Sequence, residues 1–408
     1  MTNSAFRDLF SQEQQGIYLD NAASTRKMRC MVEAMQTYDL DCGVNIGRGS
    51  YRSARQAEAA VAAAREKIKE FLSAGEDNEV IFTHGATDGL NLLARSIAAK
   101  ITPGSNVVTT VAEHLSNLLP WMEACKQRGG ELRLAKPNVK TDAKGNRIIS
   151  FQTRDIMSLV DEKTVLITVT GCSNVTGSCL PVKEIAQEAA RMHIPVVVDG
   201  AQLVAHKKVM LSGLGCDAFC FSTHKLYGPT GLGVMCTKKD FLSSLEPDVY
   251  GGGTVDYVDL TQGVIGRKDG AASWEAGTLP ISQILGFSAV LDKLRECGMD
   301  TLQVWEEELR RHLLAAMDPI PGIRCIHSGE DGAPTVSLCC DFMSSLDLAA
   351  MCDANHIAVR AGKHCAHPFL DFLGEPATVR VSLAAYNTAE QIDAFADLLG
   401  RLQRRFGK

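Results

Sequence analysis

The sequence predicts an α/β fold with a largely parallel sheet, followed by a smaller α+β unit. Between residues 79 and 236, short apolar runs alternate with segments of helical periodicity, and polar residues follow the runs. This alternation is typical of parallel strands connected by helices that cover both faces of a sheet. From residue 335 onward, shorter strands and helices indicate the second unit. A chain of 408 residues is long enough for both.

The individual elements follow from periodicity and from breaker residues. Apolar residues three or four positions apart in segments rich in Ala, Leu, Glu and Lys predict helices. Short β-branched runs bounded by turn residues predict strands. The predicted helices are residues 54–72, 89–100, 117–128, 153–160, 182–192, 281–297, 302–317, 347–355 and 389–402. The predicted strands are residues 79–83, 106–111, 131–135, 165–170, 195–198, 219–221, 335–340, 357–360 and 379–383.

The remaining segments are assigned from polarity and turn residues. Residues 1–16 are predicted as a short helix and a lead-in to a short strand. Residues 136–147 are predicted as a polar surface loop, and residues 250–272 as an irregular loop. The glycine turn at 228–233 returns the chain at once, so the strand at 234–236 is predicted to be antiparallel.

Composition and charge exclude several classes of protein. Hydrophobic residues make up 45% and charged residues 22%, which is ordinary for a soluble globular protein. A net charge of −6 argues against a nucleic-acid or anionic-membrane partner. No apolar run reaches the ~18 residues of a membrane-spanning helix, and the first ten residues lack a signal-peptide pattern. We therefore expect a cytoplasmic protein.

The 14 cysteines are scattered and include no CxxC pair. In a reducing cytoplasm, most of them are expected to be free thiols that pack as small hydrophobic side chains. A structural zinc site is not expected.

Asp199 and Lys225 are the first candidate site residues, because each follows a short apolar strand. Ligands of open α/β sheets bind at the carboxyl ends of the strands. An acid and a lysine placed there suit pyridoxal 5'-phosphate (PLP): the lysine forms a Schiff base, and the acid keeps the pyridine nitrogen protonated so that the ring accepts electrons. Alternatively, the two residues occupy ordinary loop positions.

A second candidate site lies where the strand at 79–83 runs through a glycine turn into a helix. The turn contains Gly85, Ala86 and Thr87. Free backbone N–H groups and the helix dipole bind anions at such a turn. Many helices begin in this way, so the signal is weak by itself.

Motifs along nearly the full chain make a family resemblance specific. The chain resembles the group II (SufS/CsdA-type) cysteine desulfurases of the class V aminotransferase group, which are PLP fold type I enzymes. The matching motifs, in order, are Tyr18-Leu19-Asp20-Asn21-Ala22-Ala23, Glu113-His114, Ser173-Asn174-Val175, Asp199-Gly200-Ala201-Gln202, Ser222-Thr223-His224-Lys225, Glu275-Ala276-Gly277-Thr278, Arg360-Ala361-Gly362-Lys363-His364-Cys365-Ala366 and Arg380-Val381-Ser382.

The resemblance implies a large PLP-binding domain at residues 28–284, with a mostly parallel seven-stranded sheet sandwiched by helices. It implies a small domain formed by residues 1–27 with 285–408, which carries the catalytic cysteine. It also implies a homodimer with shared active sites, in which Thr278 reaches the cofactor phosphate of the neighbouring subunit.

The resemblance assigns the residues around the cofactor ring. Lys225 would carry PLP and then act as a general base and acid, which requires a lowered pKa. Asp199 would pair with the pyridine nitrogen, Gln202 would donate to the phenolic oxygen, and His114 would stack on the ring. An alternative for His114 is a histidine that only caps a helix.

The resemblance also assigns the groups around the cofactor phosphate. Thr87, Ser222 and His224 would bind the phosphate, together with backbone N–H groups at Gly85 and Ala86.

For the substrate, L-cysteine, the resemblance assigns Arg380 as the ligand of the carboxylate, since arginine offers a bidentate fork. Asn174 would lie between the cofactor oxygen and that carboxylate, and Arg360 would be a further substrate-binding residue. A surface salt bridge is the alternative for Arg380.

Cys365 is the residue that would make this scaffold a desulfurase. Its thiolate would attack the sulfur of the bound cysteine and form a persulfide, leaving alanine. Cations favour a thiolate, and Lys363, His364 and Arg360 are the candidates. As an alternative, His364, Cys365 and His367 would form a metal site, although their near-adjacent spacing in a loop argues against it.

The chain departs from the family motifs at several positions. Ala361 and Lys363 replace a threonine and a histidine near the cysteine, and Gly47, Ala86 and Gly171 replace two histidines and a threonine elsewhere. These changes bear on the fine tuning of the reaction and on the protein that accepts the sulfur. In group II enzymes, the resemblance implies that this acceptor is a dedicated SufE- or SufU-like protein.

The alternatives in function are a selenocysteine lyase, another class V aminotransferase-type reaction or epimerase, and a scaffold without activity.

Overall fold

A computed structural model describes residues 1–10 and 16–407. Its helices are α1 (Asn3–Arg7), α2 (Arg29–Asp41), α3 (Arg52–Phe71), α4 (Ala86–Ile97), α5 (Leu115–Arg128), α6 (Thr153–Met157), α7 (Val182–Arg191), α8 (Leu203–His206), α9 (Leu211–Leu214), α10 (Lys239–Ser243), α11 (Ile281–Cys297), α12 (Met299–Met317), α13 (Ser345–Asp353), α14 (His367–Leu373) and α15 (Ala389–Phe406).

The strands are β1 (Ile17–Tyr18), β2 (Asn78–Thr83), β3 (Asn106–Thr110), β4 (Glu131–Ala135), β5 (Asn138–Thr141), β6 (Arg147–Ser150), β7 (Thr164–Thr170), β8 (Val196–Asp199), β9 (Ala218–Ser222), β10 (Gly233–Lys238), β11 (Val255–Asp259), β12 (Val264–Arg267), β13 (Ile323–Ser328), β14 (Thr335–Cys340), β15 (Ile357–Ala358), β16 (Arg360–Gly362) and β17 (Thr378–Ser382). The predicted short helix near the N-terminus is α1, and residues 11–15 of the predicted lead-in lie outside the described residues.

The larger sheet has seven strands in the order β2-β10-β9-β8-β7-β3-β4. All neighbours pair in parallel except β10, which is antiparallel to β9 and β2. The mostly parallel seven-stranded sheet is therefore confirmed, and so is the antiparallel strand after the glycine turn.

Helices cover both faces of this sheet because its strands are apolar on both sides. On β8, Val196 and Val198 pack into one hydrophobic cluster and Val197 into another. Helices α3, α7 and α11 contribute to the first cluster, and α4 and α5 to the second. The polar residues that follow β8 and β9 therefore lie at the carboxyl edge of the sheet.

The smaller sheet has six strands in the order β16-β17-β14-β13-β6-β5. The prediction of a loop at 136–147 is wrong, because β5 and the start of β6 lie there as a hairpin, and β6 pairs in parallel with β13. All four residues of β5 are exposed. Because this edge strand has no buried apolar residues, its polar sequence was interpreted as a loop. A hairpin from within residues 28–284 thus completes a sheet formed by residues 323–382; the domain bounds stay a prediction.

The prediction of an irregular loop at 250–272 is also wrong. Strands β11 and β12 form an exposed antiparallel hairpin there. Helices α2, α8, α9, α10 and α14 and strand β13 were not predicted, and α4 begins at Ala86, three residues before its predicted start. None of the helices in the described part of the chain has both the length and the apolar character needed to cross a membrane.

Candidate active site

A cleft of about 580 Å³ lies where the carboxyl edge of the larger sheet faces β16 and β17 of the smaller one. This volume is typical of a small-molecule site. The predicted site residues that line it are Ala86, Thr87, His114, Asn174, Asp199, Ser222, His224, Lys225, Arg360, Cys365 and Arg380.

Asp199 is the last residue of β8, and Lys225 lies in the turn that follows β9, the parallel neighbour of β8. Burial raises the pKa of the Asp199 carboxyl, while the charge of Lys225 and a bond from Ala201 N (3.0 Å to Oδ1) oppose the shift. Burial lowers the pKa of Lys225, which favours the neutral amine. A neutral amine at this edge can attack a carbonyl, and a carboxyl beside it can hold a proton.

His114 is the N-cap residue of α5, and its Nδ1 accepts a hydrogen bond from Ser116 N at 3.1 Å. Burial lowers its pKa to about 4, so the ring is neutral near pH 7 and carries its hydrogen on Nε2. The same side chain lines the cleft. His114 therefore both caps the helix and faces the site, so a capping role alone does not describe it.

The N-terminus of α4 packs against the turn after β9. We call this junction of Gly85, Ala86 and Ser222 the anion cradle, because it is the predicted anion site. Gly85, with φ +148°, is the N-cap of α4, and Ala86 N donates to Ser222 Oγ at 2.8 Å. A Cβ on Gly233 of β10 would lie 2.4 Å from Gly85 Cα, so only glycine allows this approach. The Oγ atoms of Thr87 and Ser116 are 2.7 Å apart. Ser116 lines the cleft and was not predicted.

His224 lies beside the cradle as a neutral ring. Burial, followed by the charges of Lys225 and Lys27, lowers its pKa to about 4. A neutral imidazole can donate one hydrogen bond to an anion.

Arg380 and Arg360 are paired residues on the antiparallel strands β17 and β16. Both contact Asp20: Arg380 Nη2 donates to Oδ1 at 3.0 Å, and Arg360 Nη2 donates to Oδ2 at 2.7 Å. Arg380 Nη1 also donates to Asn174 O at 3.1 Å. Only 3% of the Arg380 side chain is exposed, so the alternative of a surface salt bridge is wrong.

One carboxylate therefore faces two guanidinium groups. The buried Nε of Arg380 has no hydrogen-bond partner among the described residues. A buried donor without a partner is costly, and the excess positive charge favours a second carboxylate at this end of the cleft. Asp20 was not predicted as a site residue, although it stands in the first of the family motifs.

Cys365 is exposed and lies on a strained loop between β16 and α14. His364 and Cys365 have φ values of +52° and +53°, which side chains other than glycine rarely adopt. Two bonds hold the loop: Asn174 Nδ2 donates to His364 O at 2.8 Å, and His364 Nε2 lies 2.8 Å from Thr378 Oγ1. The strained backbone presents the Cys365 thiol to the cleft.

The three predicted cations near Cys365 differ in charge and pairing. Burial, and then the charges of Arg380 and Arg360, lowers the pKa of His364 to about 3, so this ring is neutral. Lys363 pairs with Asp371 at 2.5 Å, and Arg360 pairs with Asp20. Among the described residues, no cluster of His, Cys, Asp or Glu side chains is arranged to hold a metal.

Three predicted cofactor residues are not among those that line the cleft: Gly85, which is the N-cap of α4, and Gln202 and Thr278. Gln202 Nε2 donates to Ala22 O at 2.8 Å. Thr278 is exposed, and its Oγ1 accepts a long bond of 3.4 Å from Asn45 Nδ2. Their roles stay predictions.

Comparison with known proteins gives the family. The model of the aminotransferase class-V family matches residues 17–395. A probable cysteine desulfurase from Halalkalibacterium halodurans is 36% identical over 98% of this chain and 97% of its own length. A cysteine desulfurase from an Enterobacter species is 34% identical over 96% and 94%.

A solved structure supports the same family. The cysteine desulfurase CsdA from Escherichia coli superposes with a TM-score of 0.90 at 29% identity and covers 100% of this chain and 99% of its own. The chain therefore belongs to the aminotransferase class-V family, and the resemblance to its cysteine desulfurases is confirmed.

Proposed function

We propose that the chain is a PLP-dependent cysteine desulfurase that converts L-cysteine to L-alanine and forms a persulfide on Cys365. One observation carries the proposal: the buried Asp199, the partly buried Lys225, the arginine fork at Arg380 and the exposed thiol of Cys365 line one cleft.

The residues of the cleft fit PLP. Bound there, PLP would act as an electron sink for bonds at the α and β carbons of an amino acid. Lys225 would hold it covalently, Asp199 would face its ring nitrogen, and the cradle at Gly85 and Ser222 would take its phosphate. The cradle supports this assignment because a side chain at Gly85 would come within 3.3 Å of Ser222 Oγ.

Arg380 and Asn174 orient the substrate. The unpartnered Nε of Arg380 offers a charge-assisted bond to the substrate carboxylate, and Asp20 keeps the guanidinium in place. The free amine of Lys225, favoured by burial, takes and returns the proton at the α carbon.

Cys365 performs the sulfur transfer. Its thiolate forms an S–S bond with the sulfur of the substrate while the carbon–sulfur bond breaks, and the carbon takes up a proton to give alanine. The outer sulfur stays on Cys365 for transfer. We further propose a SufE- or SufU-like acceptor, a cytoplasmic location and a homodimer in which the exposed Thr278 completes the phosphate site of the partner.

Two variants test the proposal. Lys225→Ala should lose the visible absorbance band that the purified wild type shows with PLP. Cys365→Ser should keep that band but form no alanine from L-cysteine. Alanine formation at the wild-type rate by Cys365→Ser would refute the sulfur-transfer role of Cys365.

A further inference from the structure

Two cysteines outside the proposed reaction lie at the two ends of the loop that carries Asn174. Cys172 and Cys179 face each other in an antiparallel bridge. Both sulfurs lie near the same atom: Cys172 Sγ is 3.3 Å and Cys179 Sγ is 3.9 Å from Gly177 O. The loop between them thus returns on itself and brings the two thiols together.

The hydrogen bonds around the bridge define its type. Ser173 N donates to Ser178 O at 2.9 Å, and Leu180 N donates to Gly171 O at 3.1 Å. These bonds flank the two cysteines, which therefore form the non-hydrogen-bonded type of antiparallel pair, with Cα atoms about 4.5 Å apart. Disulfides span Cα distances from about 4.4 Å upward, so the backbone already lies within their range.

The two thiols differ in exposure and in acidity. Cys172 is buried, with 1% exposed, whereas Cys179 is partly exposed. The interaction between the two thiols lowers the pKa of Cys179 and raises that of Cys172. The positive charge of Lys207 also lowers the pKa of Cys179. A thiol that is both more acidic and more accessible reacts first with an oxidant.

We propose that Cys172 and Cys179 are an oxidisable dithiol that closes to a disulfide and clamps the loop carrying Asn174. Hydrogen peroxide is the oxidant. The sulfur of Cys179 attacks a peroxide oxygen, the O–O bond breaks, and sulfenic acid and one water form. The sulfur of Cys172 then displaces the hydroxyl, which leaves as a second water with the thiol proton, and the S–S bond forms. Two thiols are oxidised, and one peroxide is reduced to two waters.

The clamp would act on the substrate end of the cleft, a consequence that rests on the proposed function. Asn174 Nδ2 holds His364 O, and Asn174 O accepts from Arg380. Most disulfides hold their Cα atoms about 5.5–6 Å apart. Closing the bond would therefore spread the ends of the loop and displace Asn174, weakening L-cysteine binding.

Mass spectrometry tests the dithiol without cofactor or substrate. The full chain with Cys365→Ser is treated with hydrogen peroxide, denatured and alkylated. The dithiol predicts loss of alkylation at Cys172 and Cys179 alone, a crosslinked peptide lighter by two hydrogens, and full reversal by dithiothreitol. Buried Cys125 and Cys352 are internal controls that should remain alkylated.

Variants that lack one of the two cysteines show which thiol reacts first with the peroxide. In Cys172→Ser, sulfenic acid should accumulate on Cys179 and react with dimedone; in Cys179→Ser, Cys172 should stay alkylatable. Retention of both thiols in the parent chain, or a disulfide to another cysteine, overturns the proposal.

Titration of PLP-loaded Cys365→Ser with L-cysteine, followed by absorbance, then tests the clamp. Oxidation should raise the apparent Kd reversibly, and a chain that also carries Cys179→Ser should show no change. A disulfide that leaves the Kd unchanged would overturn the clamp while the dithiol stands; failure of the unoxidised chain to bind L-cysteine would instead count against the proposed function.

Discussion

At the residue scale, Arg380 shows how burial prepares a binding group. Its guanidinium is held by Asp20 and by Asn174 O, while its Nε lacks a partner among the described residues. Such a group is oriented before the substrate arrives, which reduces the free energy lost on binding.

Replacing Arg380 with lysine should raise the KM for L-cysteine more than it lowers kcat. Lysine keeps the charge but loses the fork, and one charged hydrogen bond contributes about 1.5–3 kcal/mol, which corresponds to roughly 10- to 140-fold in KM. Arg324→Lys is the matched control, because Arg324 forms a partly exposed pair with Asp341 away from the cleft. Steady-state kinetics of both variants test this prediction. An unchanged KM for Arg380→Lys contradicts the proposal that Arg380 binds the carboxylate of L-cysteine.

The neutral state of His364 gives a prediction about stability and pH. Its folded pKa of about 3 lies below the ordinary value of 6.5, so the unfolded chain binds the proton first as pH falls. Stability from this residue is present above pH 6.5 and is lost as the pH falls toward 3, at about 1.4 kcal/mol per pH unit.

His364→Asn should therefore flatten the pH dependence of the unfolding free energy between about pH 6.5 and 4, measured by urea denaturation. Asparagine tolerates the positive φ of 52°. His193→Asn is the control, since His193 has a φ of 56° but is exposed. Equal slopes for His364→Asn and the wild type would show that burial of His364 does not set its protonation.

At the element scale, strand ends position the chemistry. The alternation of strand and helix predicts where β8 and β9 end, and hence where Asp199 and Lys225 lie. The same signals miss β5 and β11, because edge strands with polar or exposed residues form through pairing with a neighbour, not through local sequence. They also miss the strain at His364 and Cys365, which depends on contacts with Asn174 and Thr378 from distant elements.

The junction of β10 with α4 yields a prediction for PLP affinity. Gly233→Ala would place a Cβ 2.4 Å from Gly85 Cα and push the cradle away from Ser222. Overpacking of this kind lowers the unfolding free energy by about 1–3 kcal/mol. In an absorbance titration, the variant should need a higher PLP concentration than the wild type to reach half-saturation. Gly252→Ala, with nothing within 4 Å of the added Cβ, should behave like the wild type in both measurements.

At the scale of the whole molecule, the two sheets share chain segments. The hairpin of β5 and β6 leaves the region of the larger sheet to complete the smaller one, and the Asn174 loop contacts both Arg380 and His364. Cys365 and Lys225 are far apart in sequence and meet only because these long-range contacts bring the sheets together. Motifs predicted most of the residues that line the cleft, whereas Asp20 and Ser116 were recognised only from the folded geometry.

The proposed homodimer predicts complementation between two defective subunits. Thr278→Ala subunits should bind PLP weakly, because each partner lacks its phosphate contact, and Lys225→Ala subunits should form no absorbance band. Co-expressed heterodimers would contain one site with both Lys225 and a partner's Thr278. Titration with limiting PLP should recover the band in half of the sites; no recovery in a verified heterodimer would contradict the sharing of sites.

The central claim is that sulfur moves from L-cysteine to Cys365. The most direct measurement is incubation of the PLP-loaded chain with L-cysteine, followed by alkylation and peptide mass spectrometry, with alanine counted in the same sample. Sulfur transfer to Cys365 predicts one additional sulfur on the peptide that contains Cys365, reversible by reductant and equal in amount to the alanine formed in the first turnover. Alanine released without sulfur on Cys365, or sulfur bound at another cysteine, would contradict it.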